Sequence, residues 1–514
     1  MIRNKVKLKN GQKHKQMNPM APGLTKRRLS IILTLAAFLV STLAGCAAVG
    51  PNYTKVEPKA PEKWHAELQN GLSGAKLNSE ALAHWWTTLN DPELTRLIKR
   101  AVKGNLTLKD AESRIREARA LRGISKAALF PTLDTGASFT KSRGSENSGS
   151  SIPSKLYAAG FDAGWELDVF GGARRSVEAA QAALEATQAD LHDVMVSLLA
   201  EVALNYVEVR TYQARLSAAH GNIKTQQETY EYNLSRYEAG LADELAVQQA
   251  LYNLERSRSQ IPTLEIGLEA AKNRLAVLLG ESPGALHREL YEAKPIPVPR
   301  VSVAVGVPAE TLRNRPDIRS AERNLAAQTA RIGVATADLY PKFRLFGTIG
   351  LESISSEDFF EWASRTWSYG PGVSWNIFDG GAIRQNIKVQ TARQEQALIQ
   401  YESAVLSAQE EVENVLVAFA KEQRRRESLF KATEAARQAD LLARDRYQAG
   451  LVDFSNVLIT QLALLSFQDQ LVQSEGAVTT NLVRLYKALG GGWQFYDAAA
   501  DRPMKTAKEK QQAD

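Results

Sequence analysis

The chain has 514 residues, a formal net charge of +7 and one cysteine. The positive charge is confined to residues 1–45, which hold nine Lys or Arg and no Asp or Glu. Removing those nine charges leaves a net charge of −2 for the rest, so the sequence offers no basic surface for nucleic acid. Length alone allows two to four ordinary domains.

Residues 1–45 have the three parts of a secretory signal, namely a basic region, an apolar run and small residues before a cleavage site. The apolar run extends from Leu29 to about Val40 and is too short to span a bilayer. The basic region is long, which leaves Met17 or Met20 as alternative start residues.

The signal ends in Leu43-Ala44-Gly45-Cys46, which resembles a bacterial lipobox. By that resemblance Cys46 becomes the acylated first residue, and several acyl chains anchor a protein firmly. Ala47 follows where an Asp would retain such a lipoprotein at the inner membrane, so the resemblance implies the outer membrane. A free thiol beside an ordinary cleavage site is the alternative.

Residues 46–78 are rich in proline and predict an extended tether, after which the first structural repeat is expected at 79–280. Asp91-Pro92 predicts a helix start, with Asp as the cap and Pro at the first helical position. The helical pattern reaches about Leu129, with a predicted break at Gly104-Asn105.

A pair of strands is predicted within residues 130–170, separated by a polar loop. The returning strand alternates with period 2, one face being apolar and the other acidic or small. The apolar positions are Ala159, Phe161, Ala163, Trp165, Leu167 and Val169, and the others are Gly160, Asp162, Gly164, Glu166 and Asp168.

After Gly171-Gly172 the chain has no proline until Pro262, and its composition is helical from Ala173 to Tyr237. A continuous helix of that length measures on the order of 100 Å. Heptad spacing of Leu184, Leu191 and Leu198 predicts coiled-coil packing. A turn follows at 236–243, and a second helix is predicted from about Asp243 to Leu279, with a kink at Pro262.

A proline-rich linker at 281–308 leads to a second repeat at 309–490 with a strand pair at 341–378 and a turn at 446–453. Five landmarks recur at an offset of 210, which indicates internal duplication. They are Ala111-Glu112 and Ala321-Glu322, Phe130-Pro131 and Tyr340-Pro341, Trp165 and Trp375, the turns beginning at Arg236 and Arg446, and Leu279-Gly280 and Leu489-Gly490. The glycine pairs Gly171-Gly172 and Gly380-Gly381 are offset by 209, which predicts a local one-residue deletion. Residues 491–514 are predicted to be a disordered tail.

The aromatic residues Phe161, Trp165, Trp367, Tyr369 and Trp375 lie on the apolar faces, as in a transmembrane barrel with lipid outside and water inside. A strand pair covering an ordinary core is the alternative. Four strands cannot close around a lumen, and open sheet edges are not tolerated in lipid. A transmembrane barrel built from these strands therefore requires more than one chain. Helices of about 100 Å do not fit a compact domain and would extend the tube.

The sequence resembles the TolC-like outer-membrane factor family, in its NodT-type efflux lipoprotein branch, over residues 43–493. The resemblance is carried by Cys46 with Val49-Gly50-Pro51-Asn52-Tyr53, Trp85-Trp86, Asp91-Pro92-Glu93-Leu94, Arg315-Pro316-Asp317-Ile318 with Ala321-Glu322, Tyr340-Pro341, the Trp-to-Gly-Gly segments and both turns. It implies an α plus transmembrane-β fold in which a homotrimer forms a 12-stranded barrel continued by a periplasmic α-helical barrel. The implied partners are a periplasmic adaptor, an inner-membrane pump and outer-membrane lipid.

Two sets of site residues follow from this resemblance. The adaptor-docking tips are Arg236, Tyr237, Gly240, Leu241, Arg446, Tyr447, Gly450 and Leu451. The pore constriction falls at Leu458 and Ile459, where Ile459 replaces the aspartate of the family pattern, and acidity could come instead from Asp453, Asp243 or Glu244. The alternative is that the glycines serve only as helix caps and the acids only as N-caps.

The family implies a passive duct for small toxic compounds such as drugs or metals, with no cofactor and no bound metal. The six histidines have no metal-ligand spacing, and no catalytic motif is present, so an enzyme is not expected. Two alternatives stay open, namely a polypeptide secretion duct and a coiled-coil adaptor or structural lipoprotein without a pore. The exported substrate is not encoded in this chain.

Overall fold

The computed structural model describes residues 48–69, 71–75, 78–149, 151–297 and 303–495. The predicted signal segment, Cys46 and the chain beyond residue 495 lie outside the described residues. Nine helices are described, α1 to α9 in chain order: Ser79–Ala83, Pro92–Gly104, Leu106–Ala127, Gly172–Glu238, Glu244–Leu278, Pro308–Asn314, Pro316–Ala337, Ala382–Gln448 and Phe454–Ala488. Six strands are described, β1 to β6: Leu72–Ser73, Thr132–Ser142, Ser154–Leu167, Val303–Ala304, Lys342–Ser353 and Arg365–Ser374.

The predicted start of α2 and the break after it are confirmed. The Asp91 side chain accepts hydrogen bonds from the backbone N–H groups of Glu93 and Leu94, and Pro92 takes the first helical position. Asn105 separates α2 from α3, and its side chain accepts from the Leu108 N–H at 2.9 Å. Each cap satisfies donors that helix geometry leaves unpaired, which fixes where the chain changes direction.

The four long strands form one antiparallel sheet in the order β2-β3-β5-β6. Each repeat supplies a hairpin, and the pairing of β3 with β5 joins the repeats, with Phe161 opposite Ile349. The outer edges of β2 and β6 have no partner strand within the described protomer. The predicted hairpins are therefore present, and they combine into one sheet with two open edges.

A second, two-stranded sheet was missed by the sequence prediction. β1 in the tether pairs in parallel with β4 in the linker, with Leu72 opposite Val303. Trp64 stabilises the contact between the tether and the linker, because its indole N–H donates to the Gly306 carbonyl at 3.1 Å. Two residues are too few to show a period of 2, so the sequence predicted the four long strands but not this short pair.

The two repeats keep their offset of 210 through the joints between sheet and helix. Gly171 and Gly381 both have positive φ, +81° and +92°, and immediately precede α4 and α8. The indole N–H groups of Trp165 and Trp375 donate to the Leu129 and Leu339 carbonyls, each at 3.0 Å. The predicted one-residue deletion was wrong, because the glycine immediately before the helix is the first of its pair in one repeat and the second in the other.

The helices pack side by side along their length. α4 and α8 each have 67 residues, about 100 Å, and α5 and α9 return along them. The main core lies midway, where Trp85, Trp86, Tyr206 and Leu482 are buried between the helices. The heptad residues Leu184, Leu191 and Leu198 are buried, which agrees with the predicted lateral packing. α5 continues through Pro262.

Across the described residues, no helix combines the length and the apolar character that crossing a membrane requires.

Candidate functional site

The sheet has one apolar face that no part of the described protomer covers. Trp367 is 69% exposed and stacks on Tyr369 with ring centroids 5.7 Å apart. Phe161, Trp165 and Ile349 are on the same face and are also exposed. A contiguous aromatic surface of this kind indicates contact with lipid or another protein, since soluble surfaces rarely expose one.

The opposite face is polar. Glu166 and Arg344 form an ion pair at 3.2 Å, and the Thr348 and Ser368 hydroxyls lie 3.0 Å apart. One aromatic side chain is an exception, because the Phe346 ring lies over Gly370 and Gly372 of β6. Charged and hydroxyl groups on one face and aromatic groups on the other describe a sheet between water and lipid.

The N-terminal arm, residues 48–52, is bound at the joint between β3 and α4. The Arg175 guanidinium, almost fully buried, donates to the carbonyls of Ala48, Val49 and Gly50 and to the Asn52 side chain at 2.6 Å. Gly50 packs directly on Gly333 of α7, where any side chain would clash. The tether is thus fixed where the sheet meets the helices.

The first turn, predicted as a docking tip, is a helix C-terminus closed by glycine. Gly240 has φ +70°, and its N–H donates to the Tyr237 carbonyl at 2.9 Å. The Leu241 N–H donates to the Arg236 carbonyl at 2.7 Å, which completes the pair of bonds expected of a left-handed glycine cap. Leu241 and Tyr237 are exposed at the end of the molecule.

The second turn repeats this backbone. Gly450 has φ +75°, its N–H donates to the Tyr447 carbonyl at 3.0 Å, and the Leu451 N–H donates to the Arg446 carbonyl at 2.8 Å. Leu451 and Arg446 are exposed, whereas Tyr447 is half-buried. The structure therefore brings all eight predicted tip residues to two adjacent turns at one end.

Side chains link the two turns. The Tyr447 hydroxyl donates to the fully buried Asn233 of α4 at 2.6 Å. The Arg236 guanidinium lies over the Tyr447 ring, 5.2 Å from its centroid. Burial raises the pKa of Tyr447, although the Arg236 charge opposes this. The sequence analysis missed Asn233, because one polar residue within a long helix carries no pattern.

The predicted constriction residues occupy different surroundings. Leu458 is only 6% exposed and packs with Ala250, Phe454 and Val457, so in this protomer it belongs to the packing between helices. Ile459 is 67% exposed. A constriction formed by Ile459 is compatible with this arrangement, whereas Leu458 would have to leave its packing first.

The predicted acids lie at the turns. Asp243 caps α5 by accepting from the Leu245 N–H at 3.3 Å, and Glu244 begins that helix. Asp453 holds the equivalent position before α9, where its carbonyl accepts from the Asn456 N–H. All three acids are exposed. A capping role is therefore observed for Asp243, and acidity at the pore stays a prediction.

One buried ion pair lies near the C-terminal end of α8, just before the second turn. Asp440 of α8 binds Arg444 at 2.5 Å and is almost fully buried. Burial raises the pKa of Asp440, and this outweighs the opposing effects of Arg444 and Thr460. Among the residues that the structure describes, no group of His, Cys, Asp or Glu is placed to hold a metal ion.

A two-faced sheet with open edges, fused to long paired helices, defines a membrane channel subunit with a helical extension. The chain belongs to the outer membrane efflux protein family, whose model matches residues 97–281 and 307–491. The two matched ranges correspond to the two repeats. The resemblance noted from the sequence is therefore confirmed, and the chain is an outer-membrane efflux channel protein.

Known proteins are similar to this chain over nearly its whole length. Nodulation protein T of Rhizobium leguminosarum bv. trifolii is 32% identical over 462 residues, 89% of this chain and 96% of that protein. The toluene efflux pump outer membrane protein TtgI of Pseudomonas putida is 30% identical over 467 residues, 90% of this chain and 98% of that protein. The solved outer-membrane channel OprN has a TM-score of 0.82 at 36% identity, covering 87% of this chain and all of that chain.

Proposed function

We propose that three copies of this chain form a passive duct through which small toxic compounds leave the cell. The observation that carries the proposal is the uncovered aromatic face of a sheet whose two edges are open. Three copies would supply 12 strands, and joining β6 of one copy to β2 of the next leaves no edge in the lipid.

The internal repeat supports the helical part of the assembly. Within the protomer, α4 packs against α7, and the Arg175 side chain covers Gly333. The equivalent surfaces are those of α8 and α3, where a Cβ added to Gly123 would meet no atom within 4 Å and the neighbouring Ile124 is 69% exposed. Exposed Ile399 and Leu406 of α8 would cover that surface in the adjacent copy.

Paired cysteines test this arrangement. Gln385 is the counterpart of Arg175 at the offset of 210, so Gly123→Cys with Gln385→Cys should form disulfides that link neighbouring copies into a trimer on a denaturing gel. The matched control, Arg175→Cys with Gly333→Cys, should form its disulfide within one chain and migrate as a monomer on the same gel. Monomers from the first pair would contradict the proposed packing.

The duct itself is tested by single-channel recording of the purified protein in planar bilayers. Stepwise conductance supports a pore. A protein that assembles in the outer membrane but never conducts, even after substitutions at the turns, would favour the structural or adaptor lipoprotein. No residue needs to catalyse a reaction in such a duct, because an inner-membrane pump would supply the energy.

Small molecules are proposed as cargo because TtgI is described as part of a toluene efflux pump. Cells lacking this chain should retain more of a fluorescent efflux dye, and the wild-type gene should restore export. If polypeptide secretion were lost while dye export stayed normal, the secretion duct would replace this proposal.

The two turns are proposed to bind the periplasmic adaptor. Support comes from Leu241 and Leu451, one exposed leucine in each of the two turns at the end of the helices. Ile459, nine residues beyond Gly450, is proposed to narrow the pore near this end, with Leu458 joining it only after repacking. Cross-linking from photoreactive groups at Leu241 and Leu451 would identify the adaptor, and an absence of adducts in pump-containing cells would oppose docking here.

Acylated Cys46 is proposed as the outer-membrane anchor. Its position two residues before Ala48 supports this, because the bound arm would hold the lipid beside the sheet. Mass spectrometry of the mature N-terminus would detect the added acyl mass, and an unmodified thiol would contradict it.

A further inference from the structure

Two lysines face each other at the outer end of the first hairpin. Lys141 of β2 and Lys155 of β3 are directly paired in the antiparallel register. They lie on the same face as Phe139 and Tyr157. These two aromatic residues also pair directly, and each is two residues from a lysine, on the side nearer the helices. Those two rings are 4.8 Å apart. The lysines therefore continue the aromatic face beyond its last rings.

The length of β3 places this pair at a membrane surface. Trp165 lies near the joint with α4, and Lys155 is ten residues away along the same strand and on the same face. Ten residues span about 33 Å, which becomes about 25 Å along the barrel axis at the usual strand tilt. The apolar band of such barrels is about 25 Å tall, so it ends where Lys155 and Lys141 begin.

The two lysine charges repel each other, and the described part of the chain does not neutralise them. Like charges directly opposite in an antiparallel pair destabilise it. In the ranges that the structure describes, neither lysine forms an ion pair. The nearby Arg143 differs, since it is paired with Glu146 at 3.2 Å. An external anion would remove the repulsion between Lys141 and Lys155.

We propose that Lys141 and Lys155 bind a phosphate of an anionic lipid in the outer leaflet, with Phe139 and Tyr157 against its acyl chains. The inference rests on the proposed barrel. A lipid fits better than free phosphate because the charged pair is contiguous with an exposed aromatic pair, so headgroup and chains meet matching surfaces at once. Basic side chains near a membrane surface attract anionic lipid additively.

The test measures binding of bisphosphorylated lipid A to the detergent-purified trimer by native mass spectrometry. The double variant Lys141→Gln/Lys155→Gln should bind about 30-fold more weakly than wild type. The control Lys342→Gln/Lys388→Gln removes the same charge near the opposite end of the strands and should bind as wild type does. Dephosphorylated lipid A should bind the wild-type protein and the double variant with the same low affinity.

Three results would overturn the site: equal lipid A binding by the double variant and wild type, equal loss in the control, or full competition by millimolar inorganic phosphate. Conductance recorded on the same preparations separates this inference from the proposed function. Wild-type pores with unchanged lipid binding by the variant would refute only the lysine site, whereas an absence of wild-type pores would refute the barrel.

Discussion

The two turns at the end of the helices have the same backbone and different side-chain roles. Tyr237 of the first turn is exposed, while its counterpart Tyr447 is half-buried and bonded to Asn233. Arg236 stacks on Tyr232 and Tyr447, while its counterpart Arg446 is exposed. The same Arg-Tyr-x-Ala-Gly-Leu motif therefore gives a surface side chain in one repeat and a contact between helices in the other.

This difference shows what duplication preserves. Backbone hydrogen bonds within a turn depend only on nearby residues and a positive-φ glycine, so both copies retain them. Contacts between helices depend on which helix lies alongside, and the two turns have different neighbours. The second turn carries the contacts that hold the first turn in place, so we expect substitutions to act unequally.

The largest effect is expected from proline at the glycine caps. Pro cannot adopt the φ of +75° at Gly450, and it also removes the N–H that binds Tyr447. Gly450→Pro should abolish dye export while trimers still assemble, and Gly240→Pro should reduce export less. Gly450→Asn is the control, because Asn tolerates left-handed backbone. Normal efflux in Gly450→Pro cells would refute a role for this turn.

Removal of the tyrosine hydroxyls compares the two turns directly. Tyr447→Phe leaves buried Asn233 without its donor, which should cost about 1–3 kcal/mol in local stability. Tyr237→Phe changes an exposed residue and should alter stability by less than about 0.5 kcal/mol. Hydrogen exchange of the amides around Asn233 measures both. Equal protection in the two variants would show that the buried bond adds nothing.

The arginines should separate stability from docking. Arg236→Gln loses two cation–π contacts, worth about 1 kcal/mol together at such partly exposed sites, and hydrogen exchange near the first turn should accelerate several-fold. Arg446→Gln should leave exchange unchanged and weaken adaptor cross-linking at Leu451. The comparison fails if Arg446→Gln accelerates exchange as much as Arg236→Gln does.

The smallest effect concerns pH. Burial raises the pKa of Asp440 above its ordinary value of 3.8, so folding favours the protonated acid. Its contribution to stability is complete below pH 3.8 and is lost as pH rises through the raised pKa. The first repeat has Tyr230 at this position and should lack the effect. Asp440→Asn should flatten the acid-side pH profile of exchange near Thr460, and an unchanged profile would contradict the assignment.

Features with a long period could be predicted from the sequence. The helices, the alternating strands and the duplication each extend over many residues, and their caps depend on residues within one turn. Because four strands are too few to close a barrel, the sequence also predicted that the sheet has open edges, which the structure places at β2 and β6. These features are sufficient to place the eight tip residues at one end of the molecule.

The missed features depend on single residues or distant pairs. β1 and β4 have two residues each and pair across most of the first repeat. Matching the glycine pairs by sequence misplaced the joint, because the helix begins after the first glycine of the pair at Gly171 and after the second at Gly381. Leu458 is predicted to lie at the pore constriction, but its hydrophobic spacing also suits a residue packed between helices. In this protomer it is buried, and its role in the pore stays a prediction.

The binding of the N-terminal arm has a consequence for the order of biosynthesis. The arm leaves the ribosome before either repeat, but its binding site needs Arg175 from the first repeat and Gly333 from the second. The site therefore does not exist until both repeats are synthesised and α4 has packed against α7. Protection of residues 48–52 from protease would consequently mark the moment at which a newly exported chain completes its helical wall.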